Sequence, residues 1–305
     1  MAQSSLQPLS VGNVVTTAFQ LYKNRFKPYF LLALKAYFWL LVPVYGWAKF
    51  LAISALLSRL VYGELVNQPE TITGGMMYVN SKLWQFLIAS VLFTLIVLSV
   101  WLTLAIVSVV ILTIVFLVII GSVSSLQPSN IANTIIVAIA FSISTVGSLL
   151  FLVRLFVLEL PLAIEDNINA TSTIRRSWKL SKNFESHTLL ISLVAFLITL
   201  PLLALFEIIC SLLFRFSFGN WIIANPLIAL IALVEIIRRI FQLFLDGSIN
   251  QKQIFNLLSW ILSLCLGAVV GAMQLPFWQA IKAVVYYELR TRKEGLGLKL
   301  RDRNI

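Results

Sequence analysis

The side chains best suited to chemistry in this sequence are charged residues inside apolar stretches. Arg154, Glu159 and Glu207 are the clearest cases, because a charge within a bilayer is costly and is normally paired or set against a cavity. Such residues mark either a structural ion pair, the favoured interpretation, or a path for a polar solute. Arg154 and Glu207 carry opposite charges and are expected to pair. Lys35 and Lys282 are expected to reach the membrane interface on their long stems.

Residues suited to enzymatic catalysis are scarce. The chain has one histidine, His187, and it lacks the common zinc, nucleophile-elbow and nucleotide-binding motifs. Cys210 and Cys265 lie in apolar stretches, where a thiol usually behaves as a small apolar group. We therefore predict no catalytic, cofactor-binding or metal-binding residue and no enzymatic activity, with an enzyme acting on a lipid headgroup as the least supported alternative.

An acidic group precedes the central basic segment. Glu159, Glu165 and Asp166 could together hold a cation. The favoured interpretation is that Asp166 and Asn167 cap the basic helix that follows, since acidic and amide side chains stabilise helix N-termini. His187, after that helix, is expected to be an ordinary interfacial residue rather than a pH-sensitive headgroup contact.

The positive charge of the chain is unevenly placed. The net charge is +11, and the basic residues flank the apolar stretches, which favours anionic lipid headgroups over nucleic acid as their partner. The residues predicted to contact anionic lipid or a partner protein are Lys23, Arg25, Arg175, Arg176, Lys179 and Lys182.

The elements that must position these residues are membrane helices. Soluble domains are typically about 45–50% apolar and about 25% charged, whereas this chain is 60% hydrophobic and 11% charged. Apolar blocks long enough to cross the bilayer lack the alternation of barrel strands. The fold class is therefore all-α and polytopic, with about six spans drawn from residues 30–41, 83–120, 131–158, 189–214, 221–237 and 254–275.

Two of these blocks leave the number of crossings open. Residues 30–62 contain Pro43 and Gly46, so the block is either one kinked span or a hairpin. Residues 83–120 contain no charge, proline or glycine and form either one long tilted helix or two spans joined by a turn.

Three further segments are predicted to be amphipathic interfacial helices, at residues 10–27, 163–184 and 277–293. In the second, Trp178 and Leu180 share one face while Arg175 and Lys179 share the other. A helix divided in this way lies in the headgroup region with its basic face toward water or anionic lipid.

Two of these helices carry a similar phrase, which suggests an internal duplication. A shift of 159 positions places AFQLYKN (Ala18–Asn24) on SWKLSKN (Ser177–Asn183), and a proline-containing apolar stretch follows each copy. Chance similarity between short amphipathic segments is the alternative. The predicted units are a first membrane repeat at residues 1–160, a second at 161–293, and a basic cytoplasmic tail at 294–305.

The same patterns predict a location. Residues 1–27 do not resemble a cleavable signal peptide, and the uncharged loop at residues 124–130 is expected on the outer side, because basic residues stay inside. We therefore expect a multi-pass protein of the bacterial plasma (inner) membrane with both termini in the cytoplasm.

Several motifs resemble a known family. LSVGNVV and LYKNRF near the start, LPLAIED and IRRSWKLSKNF in the middle and LPFWQAIKAVVYYELRTRKEG near the end resemble bacterial proteins with the glycerophosphoryl diester phosphodiesterase membrane domain. The stretch LVPVYGWAKFLAISALLSRLVYGEL looks like uncharacterised cyanobacterial members. In that family the activity belongs to a separate soluble barrel with histidine, glutamate and a divalent metal. The resemblance therefore implies a membrane module without catalytic residues.

Two functions of different classes follow from these patterns. The first is a non-enzymatic membrane module, either a scaffold or a protein that interacts with lipids or a partner. The alternative is a transporter or channel subunit whose path runs near Arg154, Glu159 and Glu207. The expected partners are anionic membrane lipids, a membrane protein or a second copy of the chain, with no cofactor and no nucleic acid.

Overall fold

The computed structural model describes residues 10–121, 130–214, 238 and 251–295, and helix is the only regular secondary structure in these ranges. The helices, numbered in chain order, are α1 (Val11–Asn24), α2 (Phe26–Trp39), α3 (Tyr45–Leu65), α4 (Ile72–Ser81), α5 (Leu83–Gly121), α6 (Asn130–Arg154), α7 (Glu159–Ile164), α8 (Ala170–Ser181), α9 (Glu185–Phe214) and α10 (Gln251–Glu294).

The predicted all-helical membrane class is confirmed. Within the described ranges, four helical stretches are long and apolar enough to cross a membrane: Leu83–Phe116, Ile135–Ile164, Glu185–Ile209 and Ile261–Glu294. Their outer faces expose large apolar side chains, such as Ile106, Phe141 and Leu193, as expected for helices in contact with lipid tails. The predicted span at 221–237 lies outside the described residues.

Residues 30–62 form a hairpin rather than a kinked span. Helix α2 ends at Trp39, α3 begins at Tyr45, and the two helices pack against each other. The turn is tight enough that a Cβ atom on Gly46 would lie 1.9 Å from the Trp39 carbonyl oxygen. At the other end the Tyr29 hydroxyl, on α2, donates to Glu64, on α3, at 2.9 Å. The start of α2 and the end of α3 therefore lie side by side.

Residues 83–120 form one helix, which settles the second open question. Helix α5 has 39 residues, a length of about 58 Å at roughly 1.5 Å per residue. Helix α6 packs along it, with Gly147 so close to Leu104 that an added Cβ would lie 2.6 Å from its Cδ1 atom. The absence of any helix-breaking residue explains why α5 runs uninterrupted.

The C-terminal part of the chain differs from the prediction. A span ending before Pro276 and a separate interfacial helix at 277–293 were expected, but α10 runs through Pro276 to Glu294. Its second half is buried, with Ile281 and Tyr286 fully covered, because α1, α2 and α3 pack around it. Tertiary packing here overrides the helix-breaking tendency of proline.

The two N-terminal interfacial segments are helical over shorter ranges than predicted. Helix α1 ends at Asn24, and the next residue, Arg25, is both the C-cap of α1 and the N-cap of α2. The second segment begins at Ala170, not at 163, because Asn167 takes a left-handed backbone angle of φ 58°. Its N-cap is Asn169, whose backbone N–H donates to the Ser172 hydroxyl at 2.8 Å. The predicted capping by Asp166 and Asn167 is therefore wrong.

The predicted repeat matches the structure at its start and then diverges. Helices α1 and α2 begin at residues 11 and 26, and α8 and α9 begin at residues 170 and 185, each pair at the predicted shift. Helix α2 then turns back after Trp39, whereas α9 continues through Pro201 to Phe214. The duplication itself stays a prediction.

The long helices form a ring. Helices α5, α6, α9, α10 and α3 each pack against the next, and α3 returns to α5. The short helix α7 contacts α3, α5 and α10 at one end of this ring. At that end Arg154 on α6 pairs with Glu185 on α9, and Arg292 on α10 lies over Phe184. We call this end of the molecule the polar end.

Candidate functional site

An ion pair lies inside the ring of helices. The Lys282 ammonium, on α10, donates to Glu159 Oε1, at the start of α7, over 2.7 Å. The two side chains retain only 24% and 18% of their exposure, and both residues belong to stretches that are apolar enough to cross a membrane. Glu159 was predicted to be either paired or set against a cavity, and in the structure it pairs with Lys282. Lys282, expected to reach the interface, instead points to Glu159.

Two cavities meet at this ion pair. One has a volume of about 380 Å³ and lies among α3, α5 and the end of α6. The other has a volume of about 430 Å³ and lies among α2, α3, α9 and α10. Both are lined by Leu51, Glu159 and Lys282, and each falls in the size range of small-molecule sites, about 300–1,000 Å³. We call them the paired cavities.

One residue in the wall of the second cavity has a buried amide group without a hydrogen-bond partner in the described ranges. Gln274 lines this cavity, and its buried Nε2 atom has no hydrogen-bond partner among the described residues. The hydroxyls of Ser54 and Thr199, also in this wall, donate instead to backbone carbonyls of their own helices, at 2.8 and 2.9 Å. A buried amide without a partner costs free energy, so Gln274 is the polar residue of this wall with a hydrogen bond still to gain.

A row of polar residues continues from the ion pair toward the polar end. Lys282, Tyr286, Arg290 and Glu294 recur every four positions along α10, so they share one side of the helix. The Tyr286 hydroxyl donates to Glu165 Oε1 at 2.5 Å, and Arg290 Nε donates to Glu294 at 3.0 Å. The row links the paired cavities to the polar end.

Glu165 is the centre of a second, denser cluster. Besides Tyr286, it accepts hydrogen bonds from Arg176 Nε and Nη2 at 3.1 and 3.0 Å. Arg176 also pairs with Glu294, and Arg290 donates to the Tyr62 hydroxyl at 3.1 Å. We call these six residues the Glu165 network: Tyr62, Glu165, Arg176, Tyr286, Arg290 and Glu294.

Two members of this network, Arg176 and Tyr62, lie outside the candidate spans, and the pKa of each is shifted by its surroundings. Burial lowers the pKa of Arg176, but the hydrogen bond and charge of Glu165 and the charge of Glu294 outweigh burial and raise it overall. Burial raises the pKa of Tyr62, which the nearby Arg290 charge partly opposes. Arg176 therefore stays cationic and Tyr62 neutral, so neither is suited to exchanging protons near neutral pH.

A neighbouring cluster fixes the α7–α8 loop. Arg59 donates to both carboxylate oxygens of Glu70, at 2.5 and 3.2 Å, and its guanidinium lies 3.9 Å from the centre of the Tyr78 ring. Lys82 donates to the Tyr78 hydroxyl at 2.6 Å and to the Glu165 carbonyl at 3.0 Å. These contacts hold α3, α4 and the start of α5 to the loop that carries Glu165.

The other two predicted intramembrane charges lie elsewhere. Arg154 pairs with Glu185 at 2.9 Å, and its guanidinium lies 4.5 Å from the centre of the Trp178 ring. The expected pairing of Arg154 with Glu207 is therefore wrong. Glu207 is half-buried on α9, and neither residue lines the paired cavities. Of the three, Glu159 is the one that lines the paired cavities.

The predicted lipid-contact residues divide into two groups. Lys23, Arg175, Lys179 and Lys182 are exposed. Arg25 is exposed as well, with 56% of its side chain accessible, although it pairs with Glu64 at 2.6 Å. Arg176, as described, points into the Glu165 network.

The exposed basic residues of α8 are held in place by α10. Lys293 donates to the backbone carbonyl of Lys182 at 2.8 Å and also to that of Lys179. A cation at this position satisfies carbonyls that a helix end leaves without partners. The last turn of α8 is therefore anchored, while its lysine side chains point outward.

The remaining candidates for chemistry do not converge. His187 Nδ1 lies 3.9 Å from Glu288, which pairs with Arg292, so the histidine sits at the polar end. The thiol of Cys265 is free and exposed, and the side chain of Cys210 lies outside the described residues. No group of three or more His, Cys, Asp or Glu side chains that could hold a metal forms in the part of the chain that the structure describes.

No protein-family model, curated protein or solved structure matches this chain. The resemblance to the glycerophosphoryl diester phosphodiesterase membrane domain therefore stays a prediction.

Sequence reasoning missed the central role of Glu165 and the partner of Glu159. Two patterns could have indicated both. The acids at 159 and 165 flank the same short helix, and Lys282 and Tyr286 are one turn apart on another. These two acids have the spacing needed to contact Lys282 and Tyr286. That complementarity can be recognised only once α7 and α10 are known to be neighbours.

Proposed function

We propose that this protein is a non-enzymatic membrane module that binds anionic lipid headgroups at its polar end. We also propose that the chain has about six spans, more than the four candidate spans described above. These spans cross the bacterial plasma membrane, with the polar end in the cytoplasm. The proposal also includes membership of the family that the motifs resemble. Two of those motifs, LPLAIED and LPFWQAIKAVVYYELRTRKEG, contact each other through Glu165 and Tyr286.

The observation that carries the lipid proposal is the arrangement of basic residues on α8. Arg175, Lys179 and Lys182 are exposed on its outer side, while Arg176 turns inward to Glu165 and Glu294. No ion pair among the described residues engages the three exposed side chains. Each exposed cation near an anionic surface contributes about 1 kcal/mol to attraction, so this surface is suited to acidic headgroups.

The test compares lipid preference in a neutralised and a charge-conserving variant. The protein is placed in nanodiscs of mixed phosphatidylcholine and phosphatidylglycerol, and retained lipid is measured by native mass spectrometry. We expect the triple variant Arg175→Gln, Lys179→Gln, Lys182→Gln to lower the preference for phosphatidylglycerol by about tenfold or more. The matched control, Arg175→Lys, Lys179→Arg, Lys182→Arg, should retain it. Equal preference in all three proteins, at low and high salt, would contradict the proposal.

Transport is a second candidate, and the paired cavities favour it. A ring of helices surrounding cavities at a membrane-embedded ion pair is an arrangement that a solute path requires. In proteoliposomes, Glu159→Gln and Lys282→Met should then change ion or proton flux, while Lys35→Met, which removes an exposed lysine of α2, should not. Equal flux in vesicles with and without protein would exclude this candidate.

A further inference from the structure

We propose that the Glu159–Lys282 ion pair is the binding site for a zwitterionic ligand, one that carries an ammonium group and an acidic group a few atoms apart, together with an apolar portion. The ligand ammonium binds Glu159 and the ligand acid binds Lys282. The apolar portion occupies the paired cavities. This site is distinct from the exposed basic surface of α8, so the inference does not depend on the lipid proposal.

Charge balance selects the class of ligand. The ion pair is electrically neutral and lies within apolar membrane helices. A ligand with a net charge would add a charge without an opposite partner to a medium of low polarity, which weakens its binding relative to that of a zwitterion. A zwitterion that inserts between the two side chains gives each charge an opposite partner and leaves the site neutral.

The hydrogen-bonding capacity of the pair is largely unused. An ammonium group has three N–H donors, and among the described residues Lys282 donates to a single oxygen of Glu159. The free Nε2 donor of Gln274 lies in a wall shared with Lys282. Lys282 and Gln274 thus both line the second cavity, where the ligand acid group would lie, and Glu159 accepts from the ligand ammonium.

The walls fit the apolar portion. Phe86, Phe93 and Leu152 line the first cavity, while Phe196 and Leu203 line the second. With volumes of about 380 and 430 Å³, either cavity holds a hydrocarbon group. Two sources share this chemistry: a free apolar amino acid, with ammonium and carboxylate, and an ethanolamine phospholipid, with ammonium and phosphate.

The first experiment uses the wild-type protein and needs no variant. The full chain, purified in detergent, is assayed for saturable binding of radiolabelled leucine and, by native mass spectrometry, for retention of phosphatidylethanolamine. Competitors that carry one charge, a fatty acid and an alkylamine, should be weaker than the bound zwitterion by about tenfold or more. Leucine binding identifies an amino acid ligand, and phosphatidylethanolamine retention identifies a lipid headgroup.

The second experiment locates the site. Glu159→Gln and Lys282→Met should each weaken binding of the zwitterion about tenfold or more, and Gln274→Leu should weaken it several-fold. The control Lys35→Met and the neutralised α8 triple variant should bind as the wild type does. If the ion-pair variants do not fold, Gln274→Leu and the wild-type competition decide the question.

Two results overturn the proposal. One is that neither leucine nor phosphatidylethanolamine binds saturably to the wild-type protein. The other is that singly charged competitors bind as tightly as the zwitterion, or that binding is unchanged in Gln274→Leu and in the ion-pair variants that fold. Loss of anionic lipid preference in the α8 variant has no bearing on either result.

Discussion

Glu159 and Glu165 flank the same short helix, yet their surroundings differ in one decisive respect. Among the residues that the structure describes, Glu159 pairs with Lys282 alone, and two cavities lie beside it. Glu165 accepts from Tyr286 and Arg176 and has Arg290 within 3.9 Å. A carboxylate with several donors is committed to holding the fold, whereas one with a single partner and open space beside it can exchange that partner. The comparison separates a structural acid from a binding acid on the same element.

The largest expected loss of stability follows the removal of the Glu165 carboxylate. Glu165→Ala removes the acceptor of the Tyr286 hydroxyl and one of the two carboxylate partners of Arg176. Breaking a largely buried pair in this way costs about 3 kcal/mol or more. We expect a clear fall in the thermal unfolding temperature in detergent, measured by differential scanning fluorimetry. The double variant Glu165→Ala, Arg176→Met should recover part of the loss, since the cation that lost its hydrogen bonds to Glu165 is then removed as well.

A smaller loss is expected for Tyr286→Phe. This change removes the hydroxyl that donates to Glu165 and leaves the ring in the core, so the cost is that of one hydrogen bond to a charged group, about 1.5–3 kcal/mol. The matched control is Tyr37→Phe on α2. Tyr37 is equally buried but has no carboxylate partner among the described contacts. Equal destabilisation by both changes would show that the Glu165 network has no special importance.

Changes to the Glu159–Lys282 pair should lower the stability much less than Glu165→Ala does. Glu159→Gln or Lys282→Met is expected to cost only about 1 kcal/mol, because the cavities leave the remaining group room for hydration or a lipid headgroup. The double variant Glu159→Gln, Lys282→Met should be as stable as the wild type or more so, because a buried ion pair contributes little net stability. A loss as large as that of Glu165→Ala would remove the distinction between the two acids.

The smallest effect is expected at the exposed basic residues. Lys179→Gln and Lys182→Gln should each change the free energy of unfolding by about 0.5 kcal/mol or less, since neither side chain has an ion-pair partner among the described residues. The same unfolding measurement checks this. A larger loss would place these lysines in the fold rather than on a free surface.

The sequence predicts the class of the fold well and the pairing of its charges poorly. Apolar composition and block length are enough to identify membrane helices, and three of the four candidate spans coincide with predicted blocks. The fourth, Ile261–Glu294, extends well past the predicted block at 254–275. The amphipathic pattern of α8 correctly placed Arg175 and Lys179 on an exposed face. These predictions succeed because they depend on the local sequence alone.

The pairing of charges depends on which helices become neighbours, and no local pattern carries that information. Arg154 and Glu207 seemed complementary by charge and depth, but α6 ends beside the start of α9, so Arg154 meets Glu185. Lys282 has a stem long enough to reach the interface, yet α7 places a carboxylate within 2.7 Å. Pro276 would end a solvated helix, but Pro276 and most of the residues that follow it are buried against neighbouring helices.

The hairpin of α2 and α3 has a consequence for the sidedness of the whole chain. Because its two ends meet at Tyr29 and Glu64, it enters and leaves at the same end of the molecule and adds no net crossing. The residues before α2 and those between α3 and α4 therefore face one compartment, and α10 returns the chain to that compartment at Glu294. A membrane-impermeant label should modify a cysteine placed at Asn67 and one placed at Gly295 from the same side.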